Sequence, residues 1–175
     1  TDLNFDGDAN DVGEAHRIYT PPSGLLVGDS IPSDVIVGAD GKLYYVEASS
    51  TGFYVKGIYV LDDTNGNDII DPIAEVTAFF IPPPGALTEF IFTVTQDGAG
   101  YFYASDVGND VIWRFRDDNG DGVISNATEA TAYLTAPFAS RIWEASAAGD
   151  GTLICVEDQA PDRVLIVRDA NGDGV

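Results

Sequence analysis

Aspartate, asparagine and glycine recur in four short segments of this sequence with a spacing that suits a hard cation. The segments are Asp2-Leu-Asn4-Phe-Asp6-Gly7, Asp63-Thr-Asn65-Gly-Asn67-Asp68, Asp117-Asp-Asn119-Gly-Asp121-Gly122 and Asp169-Ala-Asn171-Gly-Asp173-Gly174. Calcium takes about six to eight oxygen ligands. A loop supplies them when side-chain oxygens alternate at its first, third and fifth positions, with a backbone carbonyl at the seventh and an acid late in the loop. Asp117, Asn119, Asp121, the carbonyl of Val123 and Glu129 meet that requirement. Asp63, Asn65, Asn67, the carbonyl of Ile69 and Glu75 form a second set, and Asp2, Asn4, Asp6, Asp8 and Glu14 another. Asp169, Asn171, Asp173 and Val175 form a fourth set, with no late acid in the sequence. The expectation is structural Ca2+ at up to four sites. The metal-free alternative for any one copy is an ordinary Asn-Gly or Asp-Gly hairpin turn, which recurrence in register makes the poorer reading.

The copies differ in their turn residue. Gly122 suits the positive φ that bends the chain around an ion, whereas Asp68 holds that place in the second copy. The late acid falls one position later than in a helix-flanked EF-hand, and the flanking residues are strand formers. The loop is therefore expected to resemble an EF-hand locally, without its helices.

The elements that must carry these loops repeat in phase with them, at steps of roughly 50 to 60 residues. Asp40-Gly41, Asp97-Gly98 and Asp150-Gly151 each read as a tight turn into a strand, and Asp34 to Gly38, Phe90 to Thr95 and Arg141 to Ala145 precede them as strands. Ile58 to Leu61, Ile112 to Phe115 and Val164 to Val167 run directly into a metal loop. Ala74 to Ile81, Thr128 to Thr135 and Ala15 to Thr20 follow one, each ending near proline. Short apolar runs separated by Gly and Pro point to strands throughout. Four antiparallel strands per unit is the pattern of a β-propeller blade. The reading is an all-β chain with about three blades in a partial ring, a single repeat domain over 1-175 with blade parts 1-32, 33-84, 85-138 and 139-175.

In these motifs the sequence resembles secreted bacterial calcium-binding β-propellers, whose blades read Asp-Gly-x-Leu-Tyr-Val followed by a strand and Asp-x-Asn-Gly-Asp-Gly. The resemblance implies blade architecture. It does not select an activity, because such blades occur in sugar dehydrogenases, in lactonases and in non-enzymatic modules.

Charge and composition narrow the function. The net charge is −21, and only eight Lys and Arg are present, spread singly. That excludes a phosphate-tracking nucleic-acid surface and favours cations as partners. No apolar stretch approaches the ~18 residues of a membrane span. Cys155, within Leu153 to Val156, reads as a buried strand residue. The sequence begins at Thr1 without a signal peptide, so a processed chain or a piece of a longer one is expected. Calcium loops can be weak where the ion is plentiful, which points to an extracellular or cell-surface location.

A catalytic set is not legible. His16 is the sole histidine and reads as a surface strand residue, and no Gly-x-Ser-x-Gly elbow occurs. Arg114, Arg116, Arg163 and Arg168 are expected to pair with acids of nearby loops. Trp113, Trp143, Phe90, Phe92 and Tyr101 to Tyr103 could stack a carbohydrate, but their alternation along strands makes inter-blade core the better reading. Asn126-Ala-Thr128 is an N-glycosylation triplet. The leading reading is an extracellular, calcium-stabilised scaffold or binding module that associates with copies of itself or with other repeats of the same kind, through unpaired edge strands. The rival is a fragment of a sugar-oxidising or lactone-hydrolysing propeller enzyme.

Overall fold

The structure, a computed structural model, describes residues 15–20, 30–49, 55–81, 91–125, 128–135, 141–158, 161–170 and 172. Within them the chain is all-β, as its sequence predicts, with eleven strands in three antiparallel sheets. The first sheet runs in order through β1 (Ser30–Val37), β2 (Leu43–Ser49), β3 (Val55–Leu61) and β4 (Val76–Phe80). The second repeats the meander with β5 (Ile91–Gln96), β6 (Phe102–Asp106), β7 (Val111–Phe115) and β8 (Ala130–Thr135). The third holds β9 (Arg141–Ala147), β10 (Leu153–Asp158) and β11 (Arg163–Val167).

Ladder register aligns the sheets residue by residue. Leu43 pairs with Leu61, Phe102 with Phe115 and Leu153 with Val167, so these pairs are equivalent. Successive side chains of a strand point to opposite faces, which gives each sheet two faces to bury. We call leading the face that bears Leu43, Phe102 and Leu153, and trailing the face that bears their neighbours Tyr44, Tyr103 and Ile154. Each joint packs the trailing face of one sheet on the leading face of the next. Tyr44, Val46, Ile58 and Val60 of the first sheet share a core with Val94, Phe102, Ala104 and Phe115 of the second. Tyr103 and Ile112 of the second share another with Ala145, Leu153 and Cys155 of the third. The first joint is rich in rings: Tyr44 and Phe79 meet edge to face with centroids 4.9 Å apart, and Phe80 stacks on Phe115 at 5.3 Å. Phe102 and Tyr103 are thus buried between sheets, while Phe90 lies outside the described residues.

The innermost strands of neighbouring sheets share no ladder, and polar side chains tie them instead. Asp34 on β1 accepts a hydrogen bond from the Val94 amide (2.8 Å), and Thr95 on β5 accepts one from the Ala147 amide (3.1 Å). Gln96 accepts one from the Ala39 amide (2.7 Å).

Two local expectations need correction. Ala15 to Thr20 forms no strand; it is held by the Ile70 amide, which donates to the Ile18 carbonyl at 2.7 Å. The turn register of the second sheet is also displaced by two residues. The positive-φ glycine that leads into the second strand is Gly41 in the first sheet and Gly151 in the third, but Gly100 in the second. Gly98 serves a different purpose. Its amide donates to the Gly149 carbonyl (3.2 Å), and a Cβ there would lie 2.6 Å from that oxygen, so the close approach of two backbones requires glycine.

Candidate functional site

Two of the four predicted loops lie almost wholly within the described residues, and they fold alike. Asp117 accepts the amides of Gly120 (2.7 Å) and Asp121 (3.2 Å) on Oδ1 and that of Gly122 (2.8 Å) on Oδ2. Asp63 does the same with Gly66, Asn67 and Asp68, at 2.8, 3.2 and 2.8 Å. Asn119 accepts from the Asp121 amide and Asp121 from that of Val123, at 2.8 and 2.9 Å. Asn67 accepts from the Ile69 amide at 2.9 Å. These side chains fold back on their own backbone, as short Asx chains do in turns. Gly122 and Asp68 occupy the same left-handed position, with φ of 84° and 61°.

The late acids close the loops. Glu129 is buried; its Oε1 accepts the amides of Asp118 and Asn119 (3.0 and 3.1 Å) and its Oε2 that of Ser125 (2.8 Å). Glu75, also buried, takes the Thr64 hydroxyl, the Asn65 amide and the Asn65 side chain on Oε1, and the Asp71 amide on Oε2. The Asp71 amide, the Thr64 hydroxyl and the neighbouring amides hold the Glu75 carboxyl below the usual glutamate range. Amides of Ile73 and Ala74 do the same for Asp71.

Each loop also reaches backwards. The Ile124 amide donates to the Phe79 carbonyl on β4 of the preceding sheet (2.7 Å), and the Ile124 side chain enters the core between the two sheets. Ile70, at the same loop position, bonds the Ile18 carbonyl and packs with Tyr45 and Leu61. By register Ile18 stands where Phe79 stands, four residues beyond Glu14 as Phe79 is beyond Glu75. A loop thus joins the third and fourth strands of its own sheet and fastens that sheet to whatever precedes it.

The donor set fits calcium in chemistry: hard oxygens at the first, third and fifth positions, several exposed to solvent. Asp117, Asn119, Asp121, Val123 and Glu129 would hold the ion in one loop, and Asp63, Asn65, Asn67, Ile69 and Glu75 in the other. Among the described residues, no group of three or more His, Cys, Asp or Glu side chains converges. The late acids spend much of their hydrogen-bonding capacity on loop amides, a role their spacing alone does not reveal. Asp2, Asn4, Asp6, Asp8 and Glu14 lie outside the described residues, as do Asn171, Asp173, Val175 and Asn126. Asp169 accepts the Gly172 amide (2.7 Å), as Asp117 does that of Gly120.

Among the arginines, Arg116 pairs with Asp118 (2.6 Å) and Arg163 with Glu157 (2.5 Å). Arg114 departs from the expected acid pairing, lying over the rings of Tyr101 (4.5 Å) and Tyr133 (5.5 Å). These three residues line a groove of about 690 Å³ with Asp97, Tyr103 and Arg168. His16 is exposed. Cys155 is fully buried, and burial pushes its thiol up to about 11, so it is inert at neutral pH.

Sequence reasoning missed one recurrence. Glu47, Asp106 and Glu157 are buried and fall at the same ladder position, four residues into β2, β6 and β10 from the equivalent Leu43, Phe102 and Leu153. They sit at the end of the sheets opposite the loops. Asp106 is satisfied by the Asn109 side chain (2.9 Å) and the Trp113 indole (3.3 Å). Equal spacing from the turn glycines Gly41, Gly100 and Gly151 was the signal available for finding them.

No family model matches the chain, and no curated protein sequence matches it. Among solved structures, the chain is similar to a calcium-binding protein, regucalcin, from Agrobacterium tumefaciens, with a TM-score of 0.55 at 12% identity. The match covers 75% of this chain and 40% of that one. The likeness shows the fold: these sheets are β-propeller blades.

Proposed function

We propose that this chain is an extracellular, calcium-stabilised propeller scaffold or binding module, non-enzymatic, which associates with further copies of itself. The observation that carries the reading is the double duty of the loops. Their side-chain oxygens recur along the sequence with the spacing a calcium loop requires, and the same loops fasten each sheet to what precedes it, Ile124 to the first blade and Ile70 to Ala15–Thr20. An ion bound there would hold joints rather than perform chemistry. The regucalcin neighbour, described as calcium-binding, supports the metal side of the reading.

Thermal unfolding with calcium and with chelator tests it. A ligand that binds only the folded state stabilises by about 2.7 kcal/mol at a hundredfold excess over Kd. A clear rise in Tm with calcium is therefore expected, diminished in Asp117→Asn and Asp121→Asn. An identical Tm under both conditions would remove calcium from the reading.

A further inference from the structure

The blade register identifies two faces that are built like joints but that no other sheet covers among the described residues; on the first sheet, Ile70 and Tyr19 reach only the part around Tyr45 and Leu61. On the leading side, Val94 of β5 and Ala145 of β9 are equivalent, each opposite the ladder partner of its sheet (Ala104 and Cys155), and they are 1% and 3% exposed because the preceding sheet covers them. Their counterpart in the first sheet is Val35, opposite Tyr45, and it is 56% exposed. On the trailing side, Ile58 and Ile112 are both 0% exposed, sealed by the following sheet, while their counterpart Val164 is 71% exposed. Ile154 pairs with Ile166 and Val156 with Val164, so the four share one face of the third sheet, and all are exposed. A solvated strand face is normally polar, whereas this one stays β-branched and apolar in a chain of net charge −21.

We propose that the trailing face of the third sheet docks on the leading face of the first sheet of a second copy of this chain. In that docking, Ala15–Thr20 of the second copy lies beside β11 and supplies the outer strand of the third sheet. The proposal rests on the self-association in the preceding section and specifies its surfaces: blade faces as well as the β11 edge. Three observations select a second copy over an unrelated partner. The two faces repeat, position for position, surfaces that already fit each other twice within the chain. The Ile70 amide holds the Ile18 carbonyl as the Ile124 amide holds that of Phe79, so Ala15–Thr20 already stands where a preceding blade's outer strand belongs. The third sheet, among the described residues, has three strands where the others have four. The contact is heterologous, head to tail, and closes into a ring if the rotation suits. Two copies would bring six blades, inside the range of about four to eight that propellers use.

The test is the solution mass of the full chain with calcium, for the wild type, Val35→Asp and Ile166→Asp. Both substituted positions are exposed, so the folded monomer is retained; circular dichroism checks this, and Val164→Ser provides a milder second variant of the trailing face. Dimers are expected for the wild type. Each Asp variant alone should lose association by about a hundredfold, since a carboxylate is forced into an apolar contact without a partner. An equimolar mixture of the two Asp variants should recover dimers, because one of the two contacts then joins two unaltered faces. A dimer that both variants leave intact overturns the docking while self-association stands. Loss in Ile166→Asp with Val35→Asp unaffected overturns it in favour of a tail-to-tail contact. A wild type that remains monomeric overturns both readings.

Discussion

Asp68 has a left-handed backbone, with φ of 61°, at the place where the third loop uses Gly122. An L side chain there crowds the following carbonyl, a strain that Asp bears better than most residues but not freely. Asp68→Gly is expected to raise stability by about 0.5–1 kcal/mol, read as a higher denaturation midpoint with unchanged slope. A fall would show that the carboxylate is needed in the loop, most simply for the ion. Glu75 makes a second prediction. Its carboxyl is held low chiefly by the Asp71 amide, so its folded pKa lies below its unfolded one. A depressed acid contributes stability that is present above the unfolded value of about 4.3 and is lost as pH falls through the folded value. Acid unfolding should therefore begin below that value, and Glu75→Gln should flatten the low-pH limb of a stability profile. An unchanged limb would assign the acid sensitivity to other carboxylates.

At the scale of elements, the joint between the second and third sheets offers a matched pair of substitutions. Gly98→Ala would set a Cβ 2.6 Å from the Gly149 carbonyl oxygen, whereas Gly149→Ala meets open space. Because the obstacle is backbone and cannot swing aside, the first should cost about 1–3 kcal/mol and the second well under half of that. Equal effects in chemical denaturation would deny that the two turns are pressed together. The same turn shows why the sequence was legible only in part. Asp97-Gly98 looks like Asp40-Gly41, yet in a turn of the same length it stands two positions earlier, and the turn glycine is Gly100. Asp97 nevertheless accepts the Tyr103 hydroxyl (3.0 Å) as Asp40 accepts that of Tyr44 (3.0 Å), so the tertiary contact survives a change in local spacing. Loop register and strand order can be read locally, because period-two patterning and Gly positions encode them. The buried acids Glu47, Asp106 and Glu157 were hidden, since their burial depends on neighbouring sheets that no short window of sequence contains. Ala15–Thr20 read as a strand because its pattern is strand-like, but among the described residues no strand pairs with it.

For the molecule as a whole, charge opposes compaction. A net charge of −21 on 175 residues repels itself, and salt at about 0.1 M shortens the reach of that repulsion to about 10 Å. Stability should therefore rise with monovalent salt, and calcium should raise it further at matched ionic strength. Calorimetry in the two salts separates screening from site binding: equal midpoints would mean that calcium acts only as a counter-ion.

The backward reach of each loop also sets an order of completion. The residue that fastens the first blade, Ile124, is synthesised well after the strands it secures, and its bond to Phe79 cannot form until the second blade's third strand and loop have emerged. A chain growing from its amino end therefore carries, at every moment, one finished but unlatched blade behind its newest one. Each latch can therefore set only after the loop that carries it has been made, so that the blades lock one behind another in the order of their synthesis.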